Sequence, residues 1–99
     1  MRTIMKVTIP VEAGNQAIRD GRIGAIMQQA MDTLKPEAAY FYAESGKRLA
    51  MYVFDLKSPS DIPVVAEPFF LGLNADVQLY PCMNAEEVAA GVAKVGTGV

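Results

Sequence analysis

Few residues in this sequence are of a type that does chemistry, and the tyrosines stand out among them. Tyr40, Tyr42, Tyr52 and Tyr80 are the only four present, and each lies in a segment that alternates like a β-strand. A phenol joins a large apolar ring to a hydroxyl that donates or accepts. Tyrosines gathered on one face therefore suit a ligand-cavity wall or a protein interface. Lys6 adds a cation, and a Tyr–Lys pair assists proton transfer where burial lowers the lysine pKa. If the first and last strands pair, Lys6 meets Gln78 and Asp76, which makes Lys6–Asp76 a candidate acid/base couple. A satisfied interfacial ion pair is the plainer account of that couple, as packing is of the tyrosines.

The remaining candidates are weaker. Arg19 and Arg22 stand three apart beside Gly21 and could hold a carboxylate or phosphate, though Asp20 and Asp32 nearby fit a solvated helix face better. Cys82 follows Pro81 near a helix start, but no base accompanies it, so a small buried hydrophobe is the simpler reading. Glu86 and Glu87 belong to a helix N-terminus and lack metal-ligand spacing. The chain has no histidine and no tryptophan. The first absence removes the commonest general base and metal ligand together. No cofactor is expected.

Composition narrows the class. Ninety-nine residues make one domain, 1–99. The apolar share is 52% and the charged share 20%, as in a globular protein. Net charge is −2 with no basic run, which argues against nucleic-acid binding. Apolar stretches such as Phe69–Leu73 are far too short for a membrane span, and Met1–Ile4 leads into a strand with no signal-peptide pattern. A lone cysteine fits a reducing setting, so a cytoplasmic location is expected.

Periodicity supplies the elements that would position these residues. Arg2–Pro10 alternates as a strand, and Glu12–Asn15 reads as a turn that caps a helix running to Leu34. Ile23, Ile26, Met27, Ala30, Met31 and Leu34 form its apolar face, while Gly21 and Gly24 weaken it and mark a kink or a close approach. Strands Glu37–Glu44 and Arg48–Leu56 flank the short connection Ser45–Lys47. Ile62–Leu73 reads as a second helix, with a kink or early break at Pro68 and a stop at Asn74. Ala75–Met83 is the last strand. Asn84 caps a small helix to about Ala93, and Gly96–Val99 forms a frayed tail.

The order strand, helix, strand, strand, helix, strand predicts a ferredoxin-like βαββαβ α+β domain. It has a four-stranded antiparallel sheet, both main helices on one face, and a short C-terminal helix. Parity assigns Met5, Val7, Ile9, Ala39, Phe41, Leu49, Met51, Val53, Val77 and Leu79 to the helix side. Opposite lie Ile4, Lys6, Thr8, Tyr40, Tyr42, Ala50, Tyr52, Phe54, Gln78 and Tyr80, so all four tyrosines share one face. A face so aromatic is expected to be covered, and a second copy related by two-fold symmetry is the economical cover.

In element order, over nearly its whole length, the chain resembles the dimeric α+β barrel superfamily. The local carriers are Val53-Phe54-Asp55-Leu56 with Ser58 or Ser60 behind it, Glu67-Pro68-Phe69-Phe70, and Asn74-Ala75-Asp76-Val77. Muconolactone isomerases and antibiotic-biosynthesis-type monooxygenases share that architecture, and the likeness extends to a small bacterial family of unknown function. The resemblance implies two sheets packed face to face in a homodimer. Haem-degrading members use a His and usually a Trp, both absent here, and neither the Trp and Asn pattern of the monooxygenases nor an isomerase motif is recognisable. The expected function is small-molecule binding or protein interaction, with a cavity lined by Lys6, Tyr40, Tyr42, Tyr52, Gln78 and Tyr80. The alternative is a cofactor-independent isomerase or monooxygenase acting on a small, partly aromatic metabolite.

Overall fold

The computed structural model describes residues 1–96. Strand β1 (Arg2–Ile9) is followed by helices α1 (Val11–Arg19) and α2 (Arg22–Leu34), then strands β2 (Ala38–Glu44) and β3 (Lys47–Asp55). A 3₁₀ turn (Pro59–Asp61) leads into helix α3 (Ile62–Leu73), strand β4 (Asp76–Pro81) and helix α4 (Ala85–Gly96). The sheet has the order β2-β3-β1-β4, and all three pairings are antiparallel. The class is α+β, and both element order and strand order are compatible with the ferredoxin-like plan.

The expected first helix is two helices, and it starts earlier than expected. Pro10, with φ −56° and ψ 140°, precedes the first turn of α1, so Glu12–Asn15 is helical and not a turn. Gly14 packs closely inside that helix: a Cβ there would come within 2.7 Å of the mobile tip of Arg48 and 3.1 Å of the Ile9 side chain, so both would have to shift. The chain then breaks at Gly21, whose φ of 81° is the left-handed conformation that glycine adopts without strain. Arg22 fixes the corner. Its side chain donates to Asp20 at 2.7 Å and to the Gly72 carbonyl at 2.7 Å, tying the start of α2 to the end of α3.

Other punctuation follows local chemistry. Ser45 and Gly46, both at positive φ, form a two-residue hairpin between Glu44 and its partner Lys47. Asn74, at φ 51°, terminates α3. Pro68 does not end α3 early. The carbonyl that it deprives of a partner belongs to Val64, an exposed residue that water can reach. Helix α4 opens on a reciprocal capping box. The Glu87 amide donates to Asn84 Oδ1 at 2.8 Å, and the Asn84 amide donates to Glu87 Oε1 at 3.0 Å. The helix passes the expected end at Ala93 and continues to Gly96; the rest of the expected tail lies outside the described residues.

Register corrects one strand. In an antiparallel ladder, directly opposed residues share a face. Met5 opposes Tyr52, Val7 opposes Ala50 and Thr3 opposes Phe54, so Ala50, Tyr52 and Phe54 point to the helices. Leu49, Met51 and Val53 point the other way, beside Ile4, Lys6 and Thr8. Both parities of β3 are apolar, so alternation alone carried no sign for it. The assignments for β1, β2 and β4 hold in the ladder. The core lies between sheet and helices and is built on Met5, Val7, Ile9, Tyr52, Phe69 and Leu73, each at most 2% exposed. Burying side chains of this size contributes about 1.5–3 kcal/mol apiece. Met31, expected in that layer, is exposed.

Candidate functional site

The helices cover one side of the sheet. On the other, β1 and β3 present Ile4, Lys6 and Thr8 beside Leu49, Met51 and Val53. Outer strand β2 adds Tyr40 opposite Met51 and Tyr42 opposite Leu49. Outer strand β4 adds Gln78 opposite Lys6 and Tyr80 opposite Ile4. The result is an aliphatic centre flanked by aromatic rings, with one cation in the middle. Tyr40 is 61% exposed, Tyr80 47% and Tyr42 42%. Leu49 is already buried beneath its neighbours.

Five of the six residues expected at the site therefore share this face: Lys6, Tyr40, Tyr42, Gln78 and Tyr80. The sixth, Tyr52, does not. It is fully buried on the helix side, edge-on to Phe41 with ring centroids 5.9 Å apart and 6.1 Å from Phe69. Its hydroxyl meets Met27 Sδ at 3.6 Å, and burial pushes its pKa up to about 12. Tyr52 is a core residue, withdrawn from the site because β3 has the opposite parity to that expected.

The polar contacts on the open face are simple. Lys6 Nζ donates to Glu44 Oε2 at 3.3 Å, across the intervening strand β3. This hydrogen bond and charge hold the lysine pKa above its ordinary value, and Tyr42 and Tyr80 add to the effect. Asp76 opposes Thr8, and the ion-pair partner of Lys6 is Glu44, so the expected Lys6–Asp76 couple does not form. Tyr80 donates to Gln78 Oε1 at 2.6 Å, two residues away on the same strand. Lys6 is thus held as a cation rather than poised as a base. Its neighbours supply hydroxyl and amide groups suited to orienting a polar ligand or a facing chain.

Arg2 is a participant that sequence reasoning missed. It lies on the same face as Ile4 and Lys6, pairs with Glu37 at 2.7 Å, and also pairs with Glu87. Two carboxylates hold its guanidinium charged and anchor the start of α4 on the open side of the sheet. The alternation of Arg2 with Ile4 and Lys6 showed its face; its partners, distant in sequence, left no local signal. Cys82 is half-buried, and its amide donates to the Arg2 carbonyl at 3.1 Å. Among the described residues, no three His, Cys, Asp or Glu side chains are grouped so as to hold a metal ion. No helix among them is long and apolar enough to cross a membrane.

Two hollows lie elsewhere. A cleft of about 460 Å³ opens at the end of the sheet among Leu34, Lys35, Phe54, Lys57, Asp61 and Val65. A groove of about 310 Å³ runs between α2 and the outer strand β2, walled by Ile9, Ile23, Met27, Phe41 and Ala43. It exists because the helix layer stops short of β2, which leaves Phe41 54% exposed on the covered side. The cleft is lined by no tyrosine, whereas the lining of the groove includes Tyr42 and Leu49 of the open face.

This is an α+β domain with one face of its antiparallel sheet sealed by helices and the other bare. No protein-family model matches the chain, and no curated protein matches it significantly.

Proposed function

We propose that the chain is a binding protein that works as a homodimer, two open sheet faces closing on each other in the manner of a dimeric α+β barrel. The cavity between them takes a small polar or partly aromatic molecule. One observation carries this reading. The inner strands β1 and β3 turn Ile4, Met51 and Val53 outward, where they stay half-exposed. Strand β3, apolar at every position from Leu49 to Phe54, has the pattern of a strand covered on both faces, whereas β1 interleaves Ile4 with Lys6 and Thr8 on the open side. Tyr40, Tyr42 and Tyr80 with Lys6 and Gln78 surround that apolar centre and supply the donors and acceptors that give a ligand its orientation. The lone Cys82 suits a reducing, cytoplasmic setting. The alternative, a cofactor-independent isomerase or monooxygenase, needs a group that accepts a proton near neutral pH, and the Lys6–Glu44 pair works against Lys6 in that role.

Light scattering behind size exclusion, over a dilution series, tests the assembly. A dimer is expected for the native chain. Met51→Lys places a charge among the apolar residues at the centre of the face and should give a monomer with unchanged far-ultraviolet circular dichroism. A dimer that survives this change places the interface elsewhere. A native chain that is monomeric at every concentration ends the reading. Because the chain has no tryptophan, tyrosine fluorescence reports ligand binding directly.

A further inference from the structure

Helix α4 has an apolar stripe that no described residue of its own chain buries. Val88, Val92 and Val95 recur at i, i+4 and i+7, on one side of a helix whose other side carries Glu86, Glu87 and Lys94. The three valines are 43%, 62% and 63% exposed, and no residue of α4 is buried. The helix has twelve residues, a length at which an isolated helix is marginal in water without tertiary packing. The molecule is also long for its size. Its radius of gyration is 16.1 Å and its greatest extent 58 Å, against about 13 Å expected for the radius of a compact chain of a hundred residues.

We infer that α4 is an arm that packs its Val88–Val92–Val95 stripe on a second copy of this chain and clasps the dimer whose sheet faces meet. The inference rests on the sheet-to-sheet reading above. Two observations choose the second copy as the occupant. The first is position: Arg2 projects from the open face and holds Glu87, so the arm starts on the side where the partner arrives. The second is area. Four strands about 4.8 Å apart, each about seven residues long, cover on the order of 450 Å² in projection. A stable interface buries about 800 Å² per partner. A twelve-residue helix is about 18 Å long and 10 Å across. If each protomer gives one arm and receives another, the projected cover nearly doubles, from the order of 450 Å² to the order of 800 Å². The capping box and the Arg2 pair fix the direction in which the arm leaves, so little order has to be gained when it docks.

The test is the full-length chain carrying Val88→Ser, Val92→Ser and Val95→Ser together, compared with the native chain by sedimentation equilibrium and circular dichroism. The expected result is a native dimer and a variant whose dissociation constant is at least tenfold higher. The melting temperature of the dissociated monomer should not change, because these valines lie outside the core. A native dimer with an unchanged constant in the variant overturns the arm and leaves the sheet interface standing. A native chain without a dimer at any concentration overturns both.

Discussion

The two faces of the sheet are made of similar residues in opposite circumstances. On the helix side, Met5, Val7, Ala50 and Tyr52 are fully buried, and the helices add Phe69 and Leu73. On the other side, Ile4, Met51 and Val53 are half-covered by neighbours along the strands alone, and tyrosines up to 61% exposed surround them. The covered face has polar residues only at its margins: Thr3, whose hydroxyl donates to the Met1 carbonyl at 3.0 Å, and Arg48, which donates to Asn15 Oδ1 of α1 at 3.0 Å. The open face has a lysine near its middle. The face under the helices is apolar except at its margins; the open face keeps its aromatic rings and adds charge and hydroxyls among them.

The largest effect expected from this contrast is a pair of truncations. Phe69→Ala removes a ring with 1% exposure from the core and should cost about 3–5 kcal/mol in urea unfolding, through lost transfer energy and an unfilled cavity. Tyr80→Ala removes a ring that is half in water already and should cost under about 1 kcal/mol at protein concentrations where the chain is monomeric. Equal losses from the two would mean that the open face is a second core, and the comparison would fail.

Tyrosine ionisation gives a sharper, smaller separation. The Tyr52 pKa stands at about 12 in the folded chain against an ordinary 10.0, because burial disfavours the phenolate. The folded state therefore holds this proton more tightly than the unfolded chain does. The contribution is complete below pH 10 and is lost as pH rises towards 12, on the order of 2 kcal/mol across that window. Tyr52→Phe should flatten this part of the alkaline decline in stability, at little cost at pH 7 because a thioether is a weak acceptor. Matching behaviour of this variant and the native chain in urea unfolding at pH 9 and 11 would mean that the Tyr52 hydroxyl is not held under the helices.

Local chemistry made much of this legible in the sequence. Alternation located all four strands, Ser45-Gly46 marked the hairpin, Asn74 marked the end of α3, and Asn84 with Glu87 marked the start of α4. Where two answers were locally equal, the sequence carried no sign. Strand β3 reads Leu-Ala-Met-Tyr-Val-Phe from Leu49 to Phe54, apolar at every position, and only the pairing of Met5 with Tyr52 decides its faces. The early start of α1 has a similar cause. Gly14 and Asn15 look like a turn, yet Gly14 sits inside the helix close against Ile9 and Arg48, a contact visible only in the packing. The site was legible to the same degree. Five of its residues lay on strands whose parity was clear, Tyr52 followed β3 to the other side, and Arg2 and Glu44 emerged only through partners distant in sequence.

The least effect is expected from Lys6, and its sign is informative. In the monomer its ammonium meets Glu44 at 3.3 Å in a place that water still reaches, so Lys6→Met should leave the melting temperature of the dilute chain unchanged. Association asks more of the same group. Two sheets closing face to face take Lys6 out of water, whereas Glu44, last in an outer strand and 47% exposed, keeps its hydration. Replacing a cation that must be desolvated by an apolar side chain of similar length favours the closed state, so the dimer of the variant should be tighter by up to about tenfold. Sedimentation equilibrium at two salt concentrations checks this, and the gain should persist at high salt because it comes from desolvation rather than screening. A weaker dimer would mean that Lys6 bonds an acceptor on the facing copy. The open face would then be held by a specific polar contact at its centre, and its likeness to the covered face would end with the apolar residues around it.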